Sequence, residues 1–138
     1  MADVHKPVTR SYNMSRIKGK DTKPEMLVRK FLFSEGFRYR LHDKKLPGKP
    51  DLVFPKYKTV VFIHGCFWHG HEGCKYFVVP KTRTEWWIDK INKNKQRDLV
   101  NIDLLFKEGW KVIIVWECEL KPEKRERTLQ SLVRKLTK

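Results

Sequence analysis

The chain has 138 residues, of which 40% are hydrophobic, and its formal net charge is +15. This length suits one hydrophobic core and is too short for two domains of ordinary size. No stretch approaches the roughly 18 apolar residues of a membrane-spanning helix, and basic residues are spread along the whole chain, so we expect nucleic acid rather than a membrane as the partner.

The N-terminal segment and the cysteine count indicate the compartment. No apolar segment typical of a secretory signal lies near the N-terminus, so we expect a cytoplasmic protein. Three cysteines cannot all pair as disulfides, and they indicate metal binding or buried reduced thiols. Residues 1–20 are polar and basic without a sustained period, which predicts an arm that orders on a partner, followed by one domain over residues 21–138.

The first predicted helix begins at Thr22. Thr22 and Glu25 have the spacing of a capping box, and Gly36 is a plausible helix end. The apolar stripe of this helix consists of Leu27, Val28, Phe31 and Leu32.

Three strands are predicted next. Residues 37–42 alternate between apolar and polar side chains, which is typical of a half-exposed strand. The turn at residues 46–50 precedes a short strand over residues 51–54, and a second turn leads to the apolar run 60–63. That run is apolar on both faces, as expected for a central strand.

The second half of the chain predicts a helix from Thr84 to Lys107 with a break near Asn92, ended by Gly109. Its expected apolar face consists of Leu99, Ile102, Leu105 and Phe106. An apolar strand over residues 112–116 follows, and we expect Trp110 and Trp116 to be core residues. Strand, helix and strand in this order predict a right-handed parallel crossover.

A closing helix completes the predicted fold. Its stripe follows helical spacing and consists of Leu129, Leu132, Val133 and Leu136. The fold class is therefore α/β, a mixed β-sheet flanked by helices.

Residues 64–80 have no regular period but are rich in cysteine and histidine. Cys66, His71 and Cys74, together with Cys118 from the end of the last strand, form a Cys3His set that suits a structural zinc ion. The parallel crossover can bring Cys118 beside this loop. His69 is a rival fourth ligand, and the alternative is three unconnected thiols beside a histidine-rich loop.

Asp51 is the leading candidate for a catalytic cation site. An acidic residue there can hold magnesium over a phosphate, although a Pro-Asp pair often only starts a strand or turn. His64 or His69 would supply the base that activates water. Glu25 could orient a water molecule in this site, or it could serve only in the capping box.

Aromatic residues are interleaved with cations in the irregular segment and the start of the long helix. Such side chains can stack on bases or wedge between them, or they can be core residues. For Phe67 and Trp68 we favour a surface role, because their segment has no periodicity. The set consists of Phe67, Trp68, Trp86 and Trp87 among Lys75, Lys81, Arg83 and Lys90.

Four segments together carry a resemblance to a known family. They are PGKPD at residues 47–51, HGCFWH at 64–69, TRTEWW at 82–87 and VWEC at 115–118. With Ser11, Asn13 and Met14 in the arm, they resemble the very short patch repair (Vsr) DNA mismatch endonucleases over most of the chain. The resemblance implies a restriction-endonuclease-like fold and magnesium-dependent nicking of one strand of double-stranded DNA, 5′ to the T of a T:G mismatch left by deamination of 5-methylcytosine.

The resemblance also implies roles for individual residues. Asp51 and the main-chain carbonyl of Ile63 would hold Mg²⁺, His69 would be the general base, and His64 and Glu25 would support it. The wider nuclease superfamily has an acid-x-Lys motif where this chain has Ile63-His64-Gly65, so His69 takes the part of the lysine. The structural Zn²⁺ would be held by Cys66, His71, Cys74 and Cys118.

The implied DNA contacts begin with an aromatic wedge formed by Phe67, Trp68 and Trp87. The basic arm, including Met14, would grip the other groove, and Lys49 and Arg83 are further predicted contacts. We expect a monomer, with mismatch-repair proteins as possible partners. Two alternatives remain open: a related nickase with a relaxed or different target, and a zinc-stabilised DNA-binding module without catalysis.

Overall fold

The computed structural model describes residues 22–137, so the predicted arm and Met14 lie outside the described residues. Among residues 22–137, no helix is both long and apolar enough to cross a membrane. The helices and strands are α1 (Lys23–Ser34), β1 (Arg40–Leu41), β2 (Leu52–Phe54), β3 (Thr59–His64), α2 (Thr84–Lys107), β4 (Lys111–Trp116) and α3 (Pro122–Thr137).

The sheet joins an antiparallel meander to a parallel crossover. Its strand order is β1-β2-β3-β4, with β1–β2 and β2–β3 antiparallel and β3–β4 parallel. The register of the parallel pair aligns Val61 with Ile113 and His64 with Trp116. Both β3 and β4 therefore end at the same edge of the sheet, where the histidine- and cysteine-rich loop begins. The predicted parallel pairing is confirmed.

Helices cover both faces of the sheet. On one face, Val28 and Leu32 of α1 and Leu132 of α3 pack with Val61 and Ile113 in a buried cluster. On the other face, Leu105 of α2 packs with Val53, Val60 and Phe62. Because β2 lies between the two clusters, all three of its residues are buried. The predicted α/β class is confirmed.

The first strand is shorter than the sequence pattern predicts. Only Arg40 and Leu41 pair with β2, and both are exposed. Phe37 is instead buried, with its ring edge-on to Phe54 at 6.2 Å between centroids. At the edge of the sheet, packing of this aromatic side chain is more favourable than extending a ladder that would have only one partner strand.

Helix α2 also differs from its prediction. It is continuous, so the predicted break near Asn92 is wrong. Leu99 and Phe106 are 63% and 73% exposed, whereas Leu105 is buried. A helix of 24 residues is about 36 Å long and extends beyond six-residue strands of about 20 Å, so its stripe is buried only in part. The predicted core residues Trp110 and Trp116 are half-buried.

Candidate active site and metal site

Asp51 lies immediately before β2, where the chain turns into the sheet. Its Oδ2 atom accepts a hydrogen bond from the backbone N–H of Ile63 in β3, at 2.6 Å. The carboxylate faces a groove of about 300 Å³. Lys49, Asp51, Ile63, His64 and His69 all line this groove, so the sheet brings these five predicted site residues together.

The surroundings of Asp51 favour its neutral form. Burial raises the pKa of this carboxyl group from 3.8 to about 6, and the nearby Glu25 acts in the same direction. The hydrogen bond from Ile63 opposes the shift. A carboxylate held this way is readily stabilised by a cation, because a positive charge would offset the cost of its burial.

Glu25 lies in the first turn of α1, and its side chain contacts other residues near Asp51. Its backbone N–H donates to the Thr22 side chain at 3.4 Å, which caps the helix. Its carboxylate is only 1% exposed, and Oε2 accepts from Arg29 at 2.9 Å and lies 2.7 Å from Nε2 of His42. Glu25, His42 and Asp51 each offer one ligand atom within 4.8 Å of the others, and this group could hold a metal ion.

His64 and His69 form a stacked pair beside Asp51. Their rings are 3.8 Å apart at the centroids and inclined by 3°. Burial, together with the neighbouring His69, lowers the pKa of His64 to about 4, so this ring is neutral at neutral pH. Within the described part of the chain, Nδ1 of His64 is buried without a hydrogen-bond partner.

Asp98 orients His69, and the sequence interpretation missed it. Nδ1 of His69 lies 2.6 Å from Oδ2 of Asp98 in α2. A signal was present in the sequence, because Asn94 and Asp98 fall on the same helical stripe as the buried residues Ile91 and Leu105. Polar side chains on the buried side of a helix indicate a specific partner. His42 was also missed, and its only signal was the alternation around it.

The four predicted zinc ligands converge at the edge where β3 and β4 end. One ligand atom from each of Cys66, His71, Cys74 and Cys118 lies within 4.8 Å of the others, so this group could hold a metal ion. Nδ1 of His71 is 3.5 Å from the Cys118 sulfur, and the Cys118 N–H donates to the Cys66 sulfur at 3.4 Å. Such a compact set of thiols and one imidazole has the chemistry of a tetrahedral zinc site.

The loop that carries these ligands is packed tightly against α2. Gly70 has φ +60°, and a Cβ atom there would lie 2.8 Å from Ile91 and from Lys95. Lys95 also pairs with Glu72 at 2.7 Å, and the Asn94 side chain donates to the Trp68 carbonyl at 2.9 Å. These contacts hold His69 on the active-site side and His71 on the cysteine side.

The predicted aromatic wedge is a contiguous cluster. The rings of Phe67, Trp68 and Trp87 contact one another at centroid distances of 5.2 to 5.8 Å. Trp68 is 39% exposed, so the cluster reaches the surface beside His69. The guanidinium of Arg83 lies 4.8 Å from the ring centroid of Trp86. Lys49 is exposed at the groove, where its backbone φ is +48°.

Comparisons with known proteins identify the family to which the chain is similar. A family model described as "DNA mismatch endonuclease Vsr" matches residues 2–75. The "Type II nicking enzyme V.NmeAIP" of Neisseria meningitidis serogroup A is 56% identical over 99% of this chain and 97% of its own length. The "DNA mismatch endonuclease Vsr" of Escherichia coli K12 is 50% identical over 88% of this chain and 77% of its own.

A third relative has a similar level of identity. The "Type II nicking enzyme V.XorIIP" of Xanthomonas oryzae is 49% identical over 87% of this chain and 88% of its own length. Two of these relatives are named nicking enzymes and one a DNA mismatch endonuclease, and the match with the first of them spans nearly the whole chain. The resemblance seen in the sequence motifs is therefore confirmed, and the chain belongs to the Vsr family of DNA mismatch endonucleases.

Proposed function

We propose that this endonuclease nicks one strand of duplex DNA 5′ to the T of a T:G mismatch, by magnesium-dependent hydrolysis of the phosphodiester bond. The observation that carries the proposal is the groove in which half-buried Asp51 lies beside the stacked His64 and His69. The name of the Escherichia coli relative, a DNA mismatch endonuclease, supports the choice of substrate.

Asp51 and the main-chain carbonyl of Ile63 would hold the magnesium ion. These are oxygen donors, which Mg²⁺ prefers, and the hydrogen bond from Ile63 N–H fixes the Asp51 carboxylate. A bound Mg²⁺ supplies a positive charge that stabilises the negative charge developing on the phosphate. Glu25 adds a second carboxylate beside Asp51 and supports the cation site.

His69 is the general base in this proposal. A carboxylate can only accept hydrogen bonds, so Asp98 requires the hydrogen on Nδ1 of His69 and leaves a lone pair on Nε2. That nitrogen can take a proton from the attacking water. His64, neutral because of its burial, supports the ring of His69 by stacking on it.

The aromatic cluster and its cations would contact the DNA. Phe67, Trp68 and Trp87 present a surface that can wedge beside a weak base step, and a T:G wobble pair is such a step. Lys49 at the groove and Arg83 near the cluster would bind phosphates. Met14 of the basic arm is a further proposed contact.

Cys66, His71, Cys74 and Cys118 would hold a structural zinc ion with no open coordination position. His71 is the histidine ligand, because His69 points to Asp98 instead. Cys74→Ser should release the zinc, measured as metal content per chain after dialysis, whereas His69→Gln should retain it. One tightly bound zinc in Cys74→Ser would rule out this ligand set.

Cleavage of end-labelled duplexes tests the proposed activity. Duplexes with a single T:G mismatch in several sequence contexts, and matched T:A duplexes, are incubated with magnesium or EDTA. We expect magnesium-dependent nicking 5′ to the mismatched T by wild type and none by Asp51→Ala. Equal cleavage of T:A duplexes would instead identify a relaxed nickase, and tight binding without any cleavage would identify a binding module.

A further inference from the structure

His42 connects the two acidic residues of the active site. It follows β1, and its backbone N–H donates to the carbonyl of Asp51 at 3.2 Å. Its side chain contacts the other acidic residue, with Nε2 at 2.7 Å from Oε2 of Glu25. One residue therefore contacts the main chain of one carboxylate residue and the side chain of the other.

The backbone of His42 has an uncommon conformation. Its φ is +46°, in the left-handed region that few residues with a side chain adopt. Such conformations persist where surrounding contacts impose them, and they are concentrated at functional sites. Here the hydrogen bond to Asp51 and the contact with Glu25 are the contacts that hold it.

Glu25 needs hydrogen-bond donors to remain in place. Its side chain is 1% exposed and shares a small space with the Asp51 carboxylate, which repels it. An imidazole nitrogen 2.7 Å from a carboxylate oxygen must carry the hydrogen, because two facing lone pairs would repel each other. His42 is therefore a hydrogen-bond donor to Glu25, on the same oxygen that accepts from Arg29.

We propose that His42 is a positioning residue, which holds the Glu25 carboxylate against Asp51 so that the two carboxylates together bind the catalytic divalent cation. The assignment of Asp51 as the cation site rests on the proposed function. His42 acts through its hydrogen bonds, because the Nε2 atom that faces Glu25 carries a hydrogen and has no lone pair for the cation. Partners that orient metal-binding residues in this way typically change metal affinity by 10- to 100-fold when they are removed.

Two substitutions separate the side-chain hydrogen bond from the backbone conformation. His42→Asn keeps a residue that tolerates the left-handed region but is too short to reach Glu25. His42→Gln keeps an N–H donor of sufficient length. Lys44→Asn, at an exposed position of the same loop, is the control for a general effect of substitution in this loop.

The direct measurement is the binding of Mn²⁺ to the zinc-loaded, DNA-free protein, monitored through the EPR signal of free Mn²⁺. We expect His42→Asn to bind the ion on the order of 10- to 100-fold more weakly than wild type. His42→Gln and Lys44→Asn should bind close to wild type, and Asp51→Ala should abolish this binding. Nicking by His42→Asn should need more Mg²⁺ for half-maximal rate but recover its rate at saturation.

Three results would overturn the proposal. They are wild-type Mn²⁺ affinity in His42→Asn, equal losses in His42→Gln and His42→Asn, and no Mn²⁺ binding that depends on Asp51. If Mn²⁺ affinity depends on His42 as expected but the wild-type enzyme does not nick T:G mismatches, the positioning role is supported. Only the proposed substrate is then wrong.

Discussion

Burial disfavours the charged forms of both Asp51 and His64, and so shifts their pKa values in opposite directions. It raises the pKa of Asp51 to about 6 and lowers the pKa of His64 to about 4. At neutral pH, Asp51 is charged at a cost to folding, and His64 is neutral. The His64 contribution to stability is complete above its unfolded pKa of 6.5 and is lost as the pH falls through 4.

We predict that Asp51→Asn stabilises the protein and removes its activity. The ionised Asp51 carboxylate lowers the free energy of unfolding, because its pKa is raised from 3.8 to about 6 in the folded state. This cost is absent below pH 3.8, grows between the two values and is complete above pH 6. The gain at pH 8 should reach at most about 3 kcal/mol, from about 1.4 kcal/mol per pKa unit. Urea unfolding of the zinc-loaded protein at pH 8 and pH 4.5 measures it. An equal gain at both pH values would contradict the burial argument.

Asp98→Asn should impair catalysis without weakening DNA binding. An amide can donate to Nδ1 of His69, which moves the ring hydrogen to Nε2 and removes the lone pair that accepts the proton. The single-turnover nicking rate should fall on the order of 10²- to 10⁴-fold, the usual contribution of a general base. Asp103→Asn, the same charge change at an exposed position of α2, is the control. Equal rates for both variants would exclude this role for Asp98.

Along α2, two neighbouring residues have very different surroundings. Leu105 is fully buried between the helix and the sheet, whereas Phe106 is 73% exposed. Leu105→Ala should lower the free energy of unfolding by about 2 to 5 kcal/mol, because it leaves a cavity in the core. Phe106→Ala should change it by no more than about 0.5 kcal/mol. Urea denaturation compares the two variants, provided that the dependence of unfolding free energy on urea concentration is the same in both. A large effect of Phe106→Ala would show that this side chain is buried.

Sequence patterns predicted most elements of the fold because burial produces a period. The runs 60–63 and 112–116 are apolar, and their predicted ends lie within one residue of the observed ends of β3 and β4. The pattern failed where an element contacts the core over only part of its length. Phe37 and Phe106 are equally apolar, but one is buried beside Phe54 and the other faces solvent.

For the candidate site, the sequence predicted residues whose chemical type or topology identified their partners. The cysteine set converges as the parallel crossover predicts, with His71 in the group rather than His69. Asp98 and His42 were not predicted, because no pattern in the sequence pairs them with His69 and Glu25. A single sequence shows that a polar residue lies on a buried stripe, but it does not identify the partner across the fold.

On the scale of the whole molecule, the charge of +15 governs association with DNA. Each phosphate neutralised by a lysine or arginine releases a condensed counterion, so affinity falls steeply with salt. If six or more phosphates are contacted, affinity for duplex DNA should fall by on the order of a thousandfold or more between about 50 and 200 mM salt. Fluorescence anisotropy over this range measures the slope. A flat response would indicate a small phosphate footprint.

The parallel pairing of β3 with β4 also bears on how the protein is made. Cys66 and its partner Cys118 are separated by 52 positions, and α2 lies between them. At about 5 to 20 residues per second, a ribosome needs about 3 to 10 seconds to pass from one to the other. During that interval Cys66 and Cys74 are nascent thiols without Cys118, so the nuclease becomes competent only late in translation, when β4 has emerged.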